Sequence, residues 1–276
     1  MQCSGSSLAL RVLRLLAAAA GASVLLGCAS TPPLSADRIE AIVASPDRSA
    51  ADRINDQRRK PAQMLAFIEV RPGMVALDVS AARGYTSELI ARAVGSTGKV
   101  YAQNAPRNPG STPPAQAEGA AAPRPPGAPP VAPTLAERAQ KPATSHIVPV
   151  MRRFEDPAPP EVASGGLDLV TLMFNYHDFG HMGVDRASLN RALFQALKPG
   201  GHYVIADHAG RDGTGISEAG TLHRVEEAFV RREVEAAGFR FVATGNFLRN
   251  PADPRNRNTP EPPMPKDEFV LKFVKP

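Results

Sequence analysis

Cysteine is almost missing from this sequence, and tryptophan is missing altogether. The only cysteines, Cys3 and Cys28, precede the bulk of the chain, which therefore contains no thiol. A disulfide framework, a thiolate nucleophile and a cysteine-type zinc site are excluded for everything after Cys28. Aromatic residues make up only 5% of the chain but prolines number 28, which predicts that part of it lies outside a packed core.

A strong charge of one sign is also missing. The formal net charge is +5, and the basic residues are scattered along the sequence instead of forming a cluster. This distribution does not indicate nucleic-acid binding. The length of 276 residues with 43% hydrophobic content is enough for one α/β core.

The apolar run at residues 15–26 is too short to cross a bilayer as a helix, but its length is typical of a signal-peptide core. Two arginines, Arg11 and Arg14, precede it and supply the positive start of such a signal. The run ends in LLGC, which resembles a bacterial lipoprotein cleavage box. This resemblance implies that Cys28 carries the lipid.

We therefore expect a lipoprotein signal over residues 1–27, a tether over residues 28–35 and membrane attachment through Cys28. Because Ala29 is not an aspartate, the resemblance favours the periplasmic side of a bacterial outer membrane. Two alternatives stay open: a soluble periplasmic protein with an ordinary signal peptide, and a cytosolic enzyme whose start codon lies further downstream.

The rest of the chain is organised around residues 74–104, MVALDVSAARGYTSELIARAVGSTGKVYAQN. An apolar run of strand length leads through Asp78 into a turn of small residues at 80–84. An amphipathic segment then ends at Gly95, and a second strand is predicted over residues 99–103. A strand, tight turn, helix and strand form the opening half of a nucleotide-binding α/β sheet, and the turn exposes backbone N–H groups to a ligand.

The segment from Asp78 to Gly84 resembles motif I of class I S-adenosylmethionine-dependent methyltransferases, in which glycines stand at three alternate positions. Gly84 is kept, whereas Ser80 and Ala82 replace the other two. A β-carbon in a left-handed backbone costs roughly 1 to 2 kcal/mol. The resemblance implies S-adenosylmethionine as cofactor, with these four residues beside its methionine end. The segments GKVYAQN, NYHD and LHR are similar to those of an exported "predicted methyltransferase" group.

The implied fold is a Rossmann-like methyltransferase sheet of seven strands, mostly parallel, with helices on both faces and the last strand antiparallel at the sheet's edge. The domain is expected over residues 36–276, with a disordered, Pro/Ala-rich insertion at residues 105–134. Apolar patterns predict the later strands at residues 146–150, 167–173, 202–206, 239–244 and 268–274. Helices are predicted at residues 36–44, 51–70, 135–140, 189–197 and 222–237, a turn at 198–201 and a glycine-rich lid at 210–220.

The resemblance also assigns residues to the parts of the cofactor and of the acceptor. Gln103 or Asn104 would contact the ribose, and Phe154 with Glu155 or Asp156 would contact the adenine. Polar and aromatic residues follow the fourth strand, at the edge that faces the ligand crevice of such a sheet. Of these, Asn175 is assigned to the cofactor, and the acceptor side receives Tyr176, Asp178 and, as general base, His177.

Three functions remain open. The first is methyl transfer to an unknown small-molecule acceptor, and the second is an exported, non-catalytic binding protein on a degenerate methyltransferase fold. The third is a metal-dependent variant, because imidazoles and carboxylates converge at the crevice. Its residues would be His177, Asp178, His181, Asp207 and His208. The basic residues Arg58, Arg59 and Lys60 either line the crevice or form a solvated cationic face.

Overall fold

The computed structural model describes residues 31–106, 130–260 and 262–276. Four predicted features lie outside these ranges: the signal peptide, the lipid attachment at Cys28, the first residues of the tether and most of the proline-rich insertion. At the end of that insertion, residues 130–134 are part of the described structure, where Thr134 caps the helix that follows. No helix in the described ranges is long and apolar enough to cross a membrane.

Helices and strands alternate along most of the described chain, as the sequence predicts. The helices are α1 (Ala36–Val43), α2 (Ala50–Arg59), α3 (Pro61–Ile68), α4 (Tyr85–Val94), α5 (Leu135–Ala139), α6 (Arg186–Ala196), α7 (Ala219–Leu222) and α8 (Glu227–Ala236). The strands are β1 (Val75–Val79), β2 (Lys99–Asn104), β3 (Ile147–Met151), β4 (Leu167–Met173), β5 (Leu197–His208), β6 (Arg240–Gly245) and β7 (Glu268–Val274).

The strands form one sheet in the order β3-β2-β1-β4-β5-β7-β6. The pairs from β3 to β5 are parallel, and β7 is antiparallel to both of its neighbours. The predicted fold class is confirmed, but the position of the last strand is wrong. β7 lies inside the sheet, and every one of its residues is buried, because a nearly continuous apolar run such as EFVLKFV needs cover on both faces.

Alternation along β1 separates two cores. Ala76 packs in the core that α1, α3 and α4 cover, whereas Leu77 and Val79 pack in the core that α6 and α8 cover. Asp78 shares the first face and ends near the turn into α4. The carboxyl ends of β1, β4 and β5 therefore meet at one edge of the sheet, where a ligand crevice is expected.

Three predicted local elements are wrong. The helix predicted over residues 51–70 breaks at Lys60, which is left-handed (φ 47°) because Pro61 disfavours a helical backbone before it. Residues 198–201, predicted as a turn, belong to β5, which accommodates them by a register shift against β4. The segment that begins at Leu222 does not start a helix, because His223 is left-handed and α8 begins only at Glu227.

A buried ion network ties α5 to the rest of the domain. Arg138 is completely buried, and two of its nitrogens donate to Asp52 of α2 at 2.8 Å. It also pairs with Glu88 of α4 and donates from Nε to the carbonyl of Arg83 at 2.7 Å. The helix that follows residues 107–129 is thus held against the β1–α4 turn by charge as well as by packing.

Replacing the buried guanidinium should strongly destabilise the fold. We expect Arg138→Ala to lower the free energy of unfolding by about 3 to 5 kcal/mol, because Asp52 stays buried without this ionic partner and Glu88 loses one of its own. The matched control is Arg231→Ala, whose exposed pair with Glu235 should contribute less than about 1 kcal/mol. Urea denaturation of both variants tests this, and similar losses would contradict a special role for the buried network.

Candidate functional site

The turn between β1 and α4 has the backbone of a glycine-rich loop although it keeps one glycine. Ser80 has φ 56°, Ala82 has φ 49° and Gly84 has φ 82°, so three alternate residues are left-handed. The prediction that side chains here occupy a strained backbone is confirmed. Gly84 also lies in a crowded position, because a β-carbon there would lie 2.7 Å from the side chain of Leu135 of α5.

Two side-chain amides from the end of β2 hold this backbone in place. The N–H of Ser80 donates to Oε1 of Gln103 at 3.0 Å, and the N–H of Ala82 donates to Oδ1 of Asn104 at 2.8 Å. Asn104 returns a bond from Nδ2 to the carbonyl of Ala82 at 3.1 Å. These hydrogen bonds offset part of the free energy that the left-handed backbone of Ser80 and Ala82 costs.

Asp78 lies beneath the turn and is almost fully buried. Its carboxylate accepts hydrogen bonds from Ser87 at 2.6 Å and from Thr171 at 2.8 Å. Burial raises the pKa of Asp78 to about 6, although these two hydroxyl groups oppose the rise. The carboxylate is thus fixed in position and ionised at neutral pH.

A cavity of about 240 Å³ opens between the turn, the end of α2 and the end of β4. Arg59 lines it, and the Arg59 guanidinium lies 3.9 Å from the ring centroid of Phe174 and 5.8 Å from that of Tyr85. Burial lowers the pKa of Arg59 to about 10, and Phe174 is itself left-handed (φ 62°). The other lining residues are Asp52, Asn55, Asp78, Ser80, Ala81, Ala82, Arg83, Tyr85, Thr86, Ala132, Arg138 and Met173.

The basic segment before Pro61 therefore divides between its two predicted roles. Arg59 faces the cavity, whereas Arg58 pairs with Glu268 at 2.8 Å and Lys60 is exposed. The Arg59 guanidinium contacts two aromatic rings, whereas an arginine on a solvated cationic face would point into water.

No protein-family model matches this chain, and no curated protein sequence matches it. Among solved structures, an S-adenosylmethionine-dependent methyltransferase from Aquifex aeolicus is similar with a TM-score of 0.53 and 16% identity, over 88% of this chain and 100% of that one. A methyltransferase from Haloferax volcanii, in complex with the Trm112 activator, is similar with a TM-score of 0.52 and 15% identity, over 86% of this chain and 97% of that one. An arsenic(III) S-adenosylmethionine methyltransferase from Chlamydomonas reinhardtii is similar with a TM-score of 0.51 and 16% identity, over 89% of this chain and 74% of that one.

The chain has the class I methyltransferase fold. Its strand order and the left-handed turn after β1 agree with the resemblance of residues 78–84 to motif I. At these identities the likeness describes the fold, and the residues at the crevice have to be considered one by one.

The residues assigned to ribose and adenine differ in how deeply they are buried. Gln103 is fully buried beneath the turn, whereas Asn104 is only half-buried. Phe154 is buried against Phe179, with ring centroids 4.6 Å apart, and Glu155 accepts a bond from Arg153. None of Phe154, Glu155, Asp156 and Asn175 lines the 240 Å³ cavity. The contacts with adenine and ribose stay predictions.

Tyr176 lies on the opposite side of the sheet from the cavity. It is fully buried in the core that α6 and α8 cover, and its hydroxyl donates to Glu233 at 2.8 Å. Asn190 donates to the same hydroxyl at 3.1 Å, and burial raises the pKa of Tyr176. In this position Tyr176 has a structural role in the core. The sequence predicted that it contacts an acceptor in the crevice, but its hydroxyl is directed to Glu233 instead.

His177 is held between two carboxylates. Its Nδ1 lies 2.6 Å from Asp207 and its Nε2 lies 3.1 Å from Asp178. Burial disfavours the charged ring, but the two carboxylates dominate and raise the pKa of His177 to about 9. A protonated imidazole cannot accept a proton, so a role as general base would require His177 to lose this proton first, and that role stays a prediction.

His223 joins this group. It belongs to the LHR segment, but no role was predicted for it from the sequence. Its Nδ1 lies 2.9 Å from Oδ1 of Asp178, and Nδ1 of His181 lies 4.0 Å from the same oxygen. His208 stands apart. Its ring is 5.3 Å from that of His177, but its Nδ1 lies 3.0 Å from Glu268, and burial lowers the pKa of His208 to about 3.

The raised pKa of Asp78 predicts a stability cost that depends on pH. Its pKa lies above the unfolded value, so this group stabilises the fold at low pH and the contribution is lost as pH rises through about 6. We expect Asp78→Asn to be more stable than the wild-type protein by about 1 to 3 kcal/mol at about pH 8, with the difference vanishing at about pH 4. Urea denaturation at both pH values measures it.

The control for this prediction is Asp37→Asn, at an exposed carboxylate in the first turn of α1. This variant removes an exposed carboxylate and should lack the stabilisation that Asp78→Asn shows at about pH 8. A difference for Asp78→Asn that is equally large at both pH values would contradict the assigned pKa.

Proposed function

We propose that this protein transfers a methyl group from S-adenosylmethionine to a small-molecule acceptor. The observation that carries the proposal is the turn after β1, where Ser80 and Ala82 keep the left-handed backbone of a glycine-rich loop. A strained backbone persists only when its surroundings enforce it, and such strain is concentrated at ligand sites. The retained left-handed backbone supports cofactor binding at this turn despite the loss of two motif I glycines.

The charges in the cavity match the amino-acid end of this cofactor. That end carries an ammonium group and a carboxylate, and the cavity presents the Asp78 carboxylate together with the Arg59 guanidinium. Asp78 would hold the ammonium group, Arg59 the carboxylate and the open turn at residues 80–82 the adjoining atoms. The bound cofactor supplies an electrophilic methyl group on a sulfonium.

The described residues favour an acceptor that needs no strong base. Among them, His177 was the predicted base, but its two carboxylate partners keep it protonated at neutral pH. His208 is neutral but only a weak base, since burial lowers its pKa to about 3. In this proposal the chain orients an acceptor that already has a free electron pair and excludes water from the cavity.

Export to the periplasmic side of an outer membrane as a lipoprotein is part of the proposal, and its support is the LLGC sequence before Ala29. Labelling growing cells with palmitate tests the anchor at Cys28. A Cys28→Ser variant should lose the label, and a wild-type protein that takes up no label would contradict the lipoprotein assignment.

Calorimetric titration of S-adenosylmethionine and S-adenosylhomocysteine into the purified protein tests the cofactor. We expect dissociation constants of about micromolar, and Asp78→Ala should weaken binding of both ligands at least about tenfold, equivalent to about 1.4 kcal/mol. Both ligands carry the amino-acid end, so both should respond to the loss of the carboxylate.

The matched control is Asp168→Ala. This carboxylate also stands on a strand and accepts a backbone N–H, that of Val75 at 2.8 Å, but it lies near the start of β4, away from the cavity. With folding of each variant verified by its melting temperature, the control should bind like the wild-type protein. Absence of binding up to about millimolar ligand would refute the cofactor and favour a binding protein for another ligand.

A further inference from the structure

Three side chains with metal-ligating atoms converge beyond the cofactor cavity. They are His177 and Asp178, which open the 3₁₀ helix His177–Gly180, and His223, which follows α7. One ligand atom from each lies within 4.8 Å of the other two. The side chains of Asp178 and His223 are 25% and 39% exposed, so an ion can reach the group from solvent.

The distances suit a small divalent ion. The Asp178 oxygen lies 3.1 Å from Nε2 of His177 and 2.9 Å from Nδ1 of His223. Tetrahedral zinc with bonds of about 2.0 to 2.1 Å holds its ligand atoms about 3.3 Å apart. Two of the three separations are therefore within a few tenths of an ångström of those around such an ion, and the third pair of ligand atoms lies within 4.8 Å.

A carboxylate behind the group orients one of its imidazoles. Nδ1 of His177 lies 2.6 Å from Asp207, which also accepts the backbone N–H of His177 at 2.8 Å. Without an ion, the Nε2 proton faces Asp178. A bound metal ion would displace this proton to solvent and take its place on Nε2, while the Nδ1 proton stays donated to Asp207. Metal-bound histidines are commonly held by a carboxylate in this way, and the partner fixes both the tautomer and the ring orientation.

We propose that His177, Asp178 and His223 bind a divalent transition metal of the zinc type, with Asp207 as the positioning residue. Imidazole and carboxylate ligands favour such ions over Mg²⁺ or Ca²⁺, which prefer oxygen alone. His181 supplies a further imidazole at the rim, 4.0 Å from the Asp178 oxygen. A water molecule or His181 completes the coordination.

The metal would fasten the glycine-rich loop to the sheet edge. His223 ends the segment that contains Gly215 and Gly220, and α7 packs directly on the 3₁₀ helix that carries the other two ligands. Gly180 permits this approach, since a β-carbon there would lie 2.5 Å from Ile216. Loss of the ion should therefore loosen residues 210–223 first.

Zinc and cobalt binding to the full protein, purified without a histidine tag and stripped with a chelator, tests the site. We expect one Zn²⁺ per chain in competition with a chromophoric chelator, and a rise in melting temperature on adding zinc. With Co²⁺, the intense visible absorption of a four- or five-coordinate ion should appear. These readouts involve no methyl transfer, so they succeed or fail independently of the proposed cofactor.

The variants separate this site from other histidines. His223→Ala should weaken zinc binding by about a hundredfold or more and Asp207→Asn by about ten- to a hundredfold. His146→Ala, whose ring bonds the carbonyl of Ala91 away from the group, should bind normally. If His223→Ala does not fold, Asp178→Asn replaces it. Absence of zinc binding, or binding that these ligand variants leave unchanged, would overturn the proposal.

Discussion

The structure of the site depends on the hydrogen bonds between the end of β2 and the turn after β1. Gln103 and Asn104 accept from the backbone of Ser80 and Ala82, two residues whose left-handed conformation costs roughly 1 to 2 kcal/mol each. Parallel pairing of β1 with β2 brings the amides to the turn. In motif I the left-handed residues of this loop are glycines. Here the hydrogen bonds with Gln103 and Asn104 hold the same backbone without two of those glycines, and the cavity beside Asp78 stays open.

Buried charged side chains of α2, α4 and α5 lie next to this turn. Arg138 bridges Asp52 and Glu88 and also holds the Arg83 carbonyl, so the helices α2, α4 and α5 are fixed relative to the turn. The crevice continues along the carboxyl ends of β4 and β5, where Asp207 and its partners form a second polar group. The 240 Å³ cavity beside Asp78 and the imidazole group are thus separate features on one sheet edge.

Much of the fold could be predicted because strands buried on both faces are apolar runs and the turns between them are rich in glycine and proline. The break at Lys60 was missed although Pro61 signals it in the sequence. The interior position of β7 could not be predicted from its own residues, because it depends on tertiary pairing. At the site, Asp78 and the turn follow from local sequence. His223 does not, because 45 residues separate it from Asp178 and only folding joins them.

The most direct test of the central claim is a crystal structure of the protein with S-adenosylhomocysteine. The account predicts that the ligand occupies the cavity above Asp78, with its carboxylate at Arg59, and that Ser80 and Ala82 keep φ values near those of the free protein. A ligand bound elsewhere, or a turn that relaxes to negative φ at both residues, would contradict the view that this loop is a working cofactor site.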